Sequence, residues 1–159
     1  IVSWPGVTKA GSRDHHLIQN IDYAETFLEI AGAKIPGDMQ GRSLVPLLKG
    51  QNPKNWRTGI YYHYYEYPSF HMVPRHYGIR TERYKLMHFY RFGNEWEMYD
   101  LQKDPDELTN LYGQLGQAKL TADLKKQLYA LQKHYGDESD LSEMPKEWKD
   151  KVRPGTAQK

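Results

Sequence analysis

The sequence predicts an α+β fold, an antiparallel sheet with helices packed on one side of it. Two observations predict it. From Arg57 to Leu101 the chain reads as short, Tyr-rich runs broken by tight turns, the texture of sequential strands. After them, Leu120, Leu124, Leu128, Leu131 and Tyr135 recur at helical spacing and form one apolar face, suited to packing on a sheet.

The elements follow in order. Ile1 to Val7 reads as a strand remnant ended by Pro5-Gly6, and Lys9 to Asp14 as a polar turn. Asn20 has the chemistry of a helix N-cap, because its side chain can accept a free first-turn N–H. Ile21, Ala24, Leu28 and Ala31 then form an apolar stripe, and Gly32 is placed to end the helix. Ser43 can cap a short helix through Leu44 to Leu48, with Pro46 tolerated in the first turn and Gly50 as the stop. Ile60 to Tyr67, Tyr77 to Thr81, Tyr84 to Tyr90 and Glu95 to Leu101 are the strands. Glu82-Arg83 and Gly93-Asn94 supply the two tight turns, the second favoured by Gly in a two-residue loop. Short turns between successive strands imply antiparallel pairing. The predicted boundaries are 1–50 for a first region, 51–136 for the sheet with its helix, and 137–159 for a charged tail.

Composition narrows the function. Among 159 residues there is no Cys, which removes disulfides, thiol nucleophiles and Cys-ligated zinc. A net charge of +2 gives no argument for a nucleic-acid or membrane partner. No run of about 18 apolar residues crosses a membrane. There is no Gly-x-Ser-x-Gly elbow, no phosphate-binding Gly-x-x-x-x-Gly-Lys loop and no His-Glu-x-x-His helix. Thirteen Tyr residues suit half-wet surfaces and strands alike.

His71 and His76 are the candidate substrate-binding residues. They flank Pro74 where a loop from Pro68 leaves the sheet, and Arg75 and Arg80 add cationic donors that a sulfate or carboxylate would need. His15 and His16 read as solvated, and His63, His88 and His134 as structural. Glu95 and Glu97 share a strand face and suit cross-strand pairing, while Asp104-Pro105-Asp106 suits a turn.

Five ordered segments carry a resemblance. Ile1-Val2-Ser3-Trp4-Pro5-Gly6 forms the first. Asn20 to Gly32 contains "hydrophobic-Asp-x-x-x-Thr", with Glu25 where Pro is usual. Gln40 to Leu48 holds "Gly-x-Ser-Leu-x-Pro-Leu-Leu". Gly78-Ile79-Arg80-Thr81 precedes Tyr84-Lys85-Leu86, and Glu97-Met98-Tyr99-Asp100-Leu101 leads through Asp104-Pro105-Asp106-Glu107 to Asn110-Leu111. Together they resemble the C-terminal part of the formylglycine-dependent sulfatases, with the Tyr61 to Pro68 run most similar to bacterial enzymes of the glucosamine-6-sulfatase or iduronate-sulfatase kind.

The resemblance implies a remnant of the large α/β sulfatase domain, then a small four-stranded antiparallel sheet packed by a C-terminal helix. It implies hydrolysis of sulfate esters on a sulfated sugar or glycosaminoglycan, in the periplasm or outside the cell. In that family a formylglycine from a [Cys/Ser]-x-Pro-x-Arg motif attacks sulfur, and a calcium ion polarises the sulfate. Here Val7 stands where Ser3-Trp4-Pro5 would need Arg. No catalytic or metal residue is therefore carried over. The expectation is a chain lacking its N-terminal catalytic portion, inactive alone, and lending His71 and His76 to a cleft. The alternatives are a non-catalytic carbohydrate-binding or structural module, or a phosphonate or phosphate monoester hydrolase of the same superfamily.

Overall fold

In chain order, the computed structural model holds α1 (Asp22–Ile30), α2 (Val45–Leu48), β1 (Gly59–Tyr64), β2 (His76–Thr81), β3 (Tyr84–Phe89), β4 (Glu95–Asp100) and α3 (Ala118–His134). Residues 1–67, 70–90 and 95–137 are described. The expected Gly93-Asn94 turn, Pro68, and the tail beyond 137 lie outside them. The chain divides into two units, Ile1–Ile60 and a second that begins at Tyr61.

The second unit is the predicted sheet and helix. Its strands run in the order β1-β2-β3-β4, antiparallel from β2 to β4. Register explains the core. Ile79 faces Leu86 across β2 and β3, and Leu86 faces Met98 across β3 and β4, so one apolar row crosses the sheet. α3 lays Leu124 and Leu128 on that row, and Ile79, Leu86, Met98 and Leu128 are all 0% exposed. Each such side chain contributes roughly 1.5–3 kcal/mol by leaving water. Leu120 and Leu131 pack at the margin, as the stripe predicts.

The Tyr-Asp-Leu to Asn-Leu motif is structural. Asp100 holds Arg83 through two bonds, Nε to Oδ1 at 2.9 Å and Nη2 to Oδ2 at 2.7 Å, tying β4 to the β2–β3 turn. Asp104 accepts the amides of Leu108 and Thr109 at 3.1 and 2.8 Å. Asn110 acts as a short false strand on β4: its Oδ1 accepts the Met98 amide at 3.0 Å and its Nδ2 donates to Trp96 O at 3.1 Å. The bonds satisfy an edge that would otherwise offer free backbone groups.

The first unit departs from expectation in three ways. Residues Ile1 to Val7 form no strand. A turn closes there, with Val7 and Thr8 amides donating to Trp4 O at 3.0 and 2.9 Å; a strand needs a neighbour to pair with. Asn20 does not cap α1, whose N-cap is Ile21 without a side-chain bond; Asp22 accepts the Gln19 amide at 2.7 Å instead. And the stripe is inverted. α1 buries Asp22, Glu25 and Thr26, while Ile21, Tyr23, Phe27 and Ile30 are exposed and Leu28 is only half-buried. The stop does hold: Gly32 takes φ 66, its amide donates to Glu29 O, and the Ala33 amide reaches Leu28 O at 2.9 Å, a Schellman closure.

The buried polar face has partners. The Arg57 guanidinium grips Asp22 with both nitrogens, Nη2 to Oδ1 at 2.6 Å and Nη1 to Oδ2. The Arg42 amide adds a bond at 2.9 Å. Thr26 Oγ1 donates to Asp22 O and accepts the Leu44 amide at 2.8 Å, placing α2. Glu25 Oε1 accepts the Gly41 amide at 2.6 Å. A Cβ at Gly41 would lie 2.3 Å from Ile21 O, so only glycine fits there.

Candidate functional site

The sequence candidates separate in the structure. His71 lies in the exposed loop before β2, its ring edge-on to Phe70 at 5.4 Å. Phe70 is 94% exposed, and Met72 beside it adopts φ 51, an uncommon backbone for a bulky residue. His76 follows the loop, as its place after Pro74 allowed. It is the first residue of β2, facing Phe89 across the ladder. No hydrogen bond or ring contact joins His71 to His76 among the described residues.

Of the two predicted cationic donors, one is buried and the other turns away. Arg75 is buried, at 6% exposure. Arg80 turns back on the β2–β3 turn, its Nη1 donating to the carbonyls of Thr81 and Glu82. A strand reverses side-chain direction at each residue, which loop reasoning could not anticipate.

His76 sits in an aromatic slot. Tyr64 stacks on it at 5.5 Å with a 20° interplanar angle, Tyr62 meets it edge-on at 5.9 Å, and Phe89 lies at 5.1 Å. Its Nδ1 is 2.8 Å from Pro74 O, so Nδ1 carries the proton and donates. The slot depends on Gly78. A Cβ there would come within 2.6 Å of Tyr62 Oη and 2.5 Å of Leu86 O. The hydroxyls of Tyr62 and Tyr64 are buried and find no hydrogen-bond partner among the described residues. Burial pushes the Tyr62 phenol above its ordinary range, with Glu107 and Glu97 adding to the effect.

A second cluster went unpredicted. His63 Nδ1 donates to Asp137 Oδ2 at 2.7 Å, and its Nε2 accepts from Tyr90 at 3.0 Å. Tyr61 donates to the same carboxylate oxygen at 2.5 Å. Burial holds His63 below its ordinary pKa; Asp137 opposes this, and His76 and Arg75 reinforce it. His63 is structural, as expected. Asp137 gave no signal, because it follows the end of α3 in a stretch that reads as tail. His88 is structural too, bonded to Tyr77 at 2.8 Å and stacked on Trp96 at 4.2 Å. His16 is not simply solvated: it contacts Asp14 at 2.7 Å and Asn52 at 3.1 Å. Glu97 accepts from Tyr99 at 2.9 Å, a bond along β4 itself and not the expected pairing across the sheet. Burial first, then this bond, pushes Tyr99 up to about 12.

Among the described residues no group of three or more His, Asp or Glu could hold a metal ion, so no ligand is assigned to this chain.

Residues 1–134 match the family described as N-sulphoglucosamine sulphohydrolase, C-terminal. The chain belongs to that sulfatase family. It is a C-terminal sulfatase part, with the antiparallel sheet and packing helix expected of it. The N-acetylglucosamine-6-O-sulfatase of Bacteroides thetaiotaomicron is 48% identical over 86% of this chain, which covers 25% of that relative. An ulvan-active sulfatase of Formosa agariphila is 32% identical over 86% of the chain, covering 33% of the relative. A solved structure of a protein in complex with its substrate D-glucosamine-2-N,6-O-disulfate superposes with TM-score 0.84 at 45% identity, over 89% of this chain and 29% of that one. This sulfatase part thus spans about a quarter to a third of the length of these curated relatives.

Proposed function

We propose that the complete protein hydrolyses sulfate esters on a sulfated sugar, of the glucosamine or wider glycosaminoglycan class. This chain supplies scaffold and one wall of the substrate cleft. The observation that carries the reading is the 48% identity to an N-acetylglucosamine-6-O-sulfatase across 86% of the chain. His71 and the His76 slot form the cleft wall in this reading. The outward face of α1, with Tyr23, Phe27 and Ile30, packs on the N-terminal catalytic portion. Buried aromatic area of that kind suits a permanent interface.

The nucleophile and the calcium site belong to that portion, and the chain alone is inactive. When bound, calcium would supply Lewis-acid polarisation of the sulfate. The complete enzyme works in the periplasm or outside the cell.

The test is sulfate release from N-acetylglucosamine 6-sulfate by the complete protein, beside a phosphonate monoester. Turnover of the sugar sulfate alone supports the reading. Turnover of the phosphonate alone replaces it with the phosphonate chemistry. Cell fractionation checks the compartment.

A further inference from the structure

His76 was expected from sequence to join cationic donors around an anion. Its surroundings suit the opposite polarity. The Pro74 carbonyl can only accept, so the bond at 2.8 Å places a proton on Nδ1. A neutral imidazole protonated there carries a lone pair at Nε2. Nε2 makes no hydrogen bond among the described residues and keeps access to solvent, unlike the buried hydroxyls of Tyr62 and Tyr64. His76 itself is half-buried. The ring cannot easily turn to offer its other edge. Tyr64 lies parallel to it at 5.5 Å, while Tyr62 and Phe89 close two further sides. Gly78 keeps Tyr62 in place, because any side chain at 78 would strike its phenol.

We infer that His76 is a specificity-determining residue that accepts a hydrogen bond at Nε2 from a hydroxyl of the sugar ring, and does not hold the sulfate. A sulfate oxygen only accepts, so it finds no donor at a neutral Nε2. A sugar hydroxyl donates readily, and a site built to bond it rejects an analogue that lacks it. The inference rests on the cleft reading above and adds the group that His76 reads.

Two measurements test it. In the 159-residue chain, imidazole ¹⁵N shifts of His76 at neutral pH should report a protonated Nδ1 and a bare Nε2; a proton on Nε2 overturns the inference. In the complete sulfatase, kcat/KM is compared for N-acetylglucosamine 6-sulfate and its 3-deoxy and 4-deoxy forms. H76F keeps a ring in the slot and should lower kcat/KM about tenfold for the parent sugar. It should change little for the one deoxy analogue that lacks the bonded hydroxyl. H76Q, which retains an acceptor, should recover part of the loss. An equal loss on all three sugars assigns His76 to packing and overturns the inference while leaving the sulfatase reading intact. Failure of the wild type on every sugar sulfate removes the sulfatase reading and the inference with it.

Discussion

The principal helices of the two units bury opposite chemistry. The second unit closes over Ile79, Leu86, Met98, Leu124 and Leu128, an apolar core between sheet and helix. In the first, α1 turns Asp22, Glu25 and Thr26 inward and leaves Tyr23, Phe27 and Ile30 outward. One is held by area removed from water, which is tolerant of direction. The other is held by directional bonds from Arg57, Arg42, Gly41 and Leu44. The contrast teaches that an apolar helix stripe identifies a surface that needs cover without saying where the cover lies.

The contrast can be broken most sharply at Arg57. R57A leaves the Asp22 carboxylate buried and without its main partner, which should cost about 3–5 kcal/mol. Hydrogen exchange should show the loss in α1 and spare β3. Equal loss in both units would mean they are not separately stabilised. Next comes Leu128. L128A should cost about 3 kcal/mol through lost burial and a cavity. Exchange should now accelerate in β2 and β3 while the α1 amides hold.

Asn110→Ala is smaller. It removes the acceptor for the Met98 and Tyr112 amides, and should cost about 1–2 kcal/mol. The loss should be local to β4 in the exchange pattern; a change of more than that size would give Asn110 a role beyond edge sealing.

Acidification should separate the units with the smallest effect. Burial alone would raise the Asp22 carboxyl. Bonds from Arg57 and from the Gln19 and Arg42 amides outweigh it and hold the group below its ordinary value. Its contribution is present above the carboxylate range and is lost only as pH falls through the depressed value, below about 4. His63 is also held low, chiefly by burial. For a histidine this means stability is full above about pH 6.5 and declines as pH falls from there. The second unit should therefore weaken first in mild acid, and H63Q should flatten that slope in a denaturation series. An unchanged slope would assign it to another group.

Much of the second unit was legible beforehand. Strand runs, the Glu82-Arg83 turn and the α3 leucines each reflect a period or a turn chemistry that acts over a few residues. The motif from Glu97 to Asn110 could be recognised, but its work could not: Asn110 as a false strand follows only from where β4 ends. The site was less legible. His76 was noticed for its proximity to Pro74, but its aromatic slot and the turn-directed Arg80 could not be read from local order.

By itself the sequence determined the family, the sheet-and-helix order and the stops at Gly32 and Gly50, since all of these depend on local spacing and backbone freedom. Tertiary structure alone decided that Asp22 meets Arg57, that Asp137 meets His63, and that Tyr62, Tyr64 and Phe89 surround His76. Those partners stand 35, 74 and at least 12 residues apart. Such meetings depend on register and on how elements pack, which no local pattern encodes.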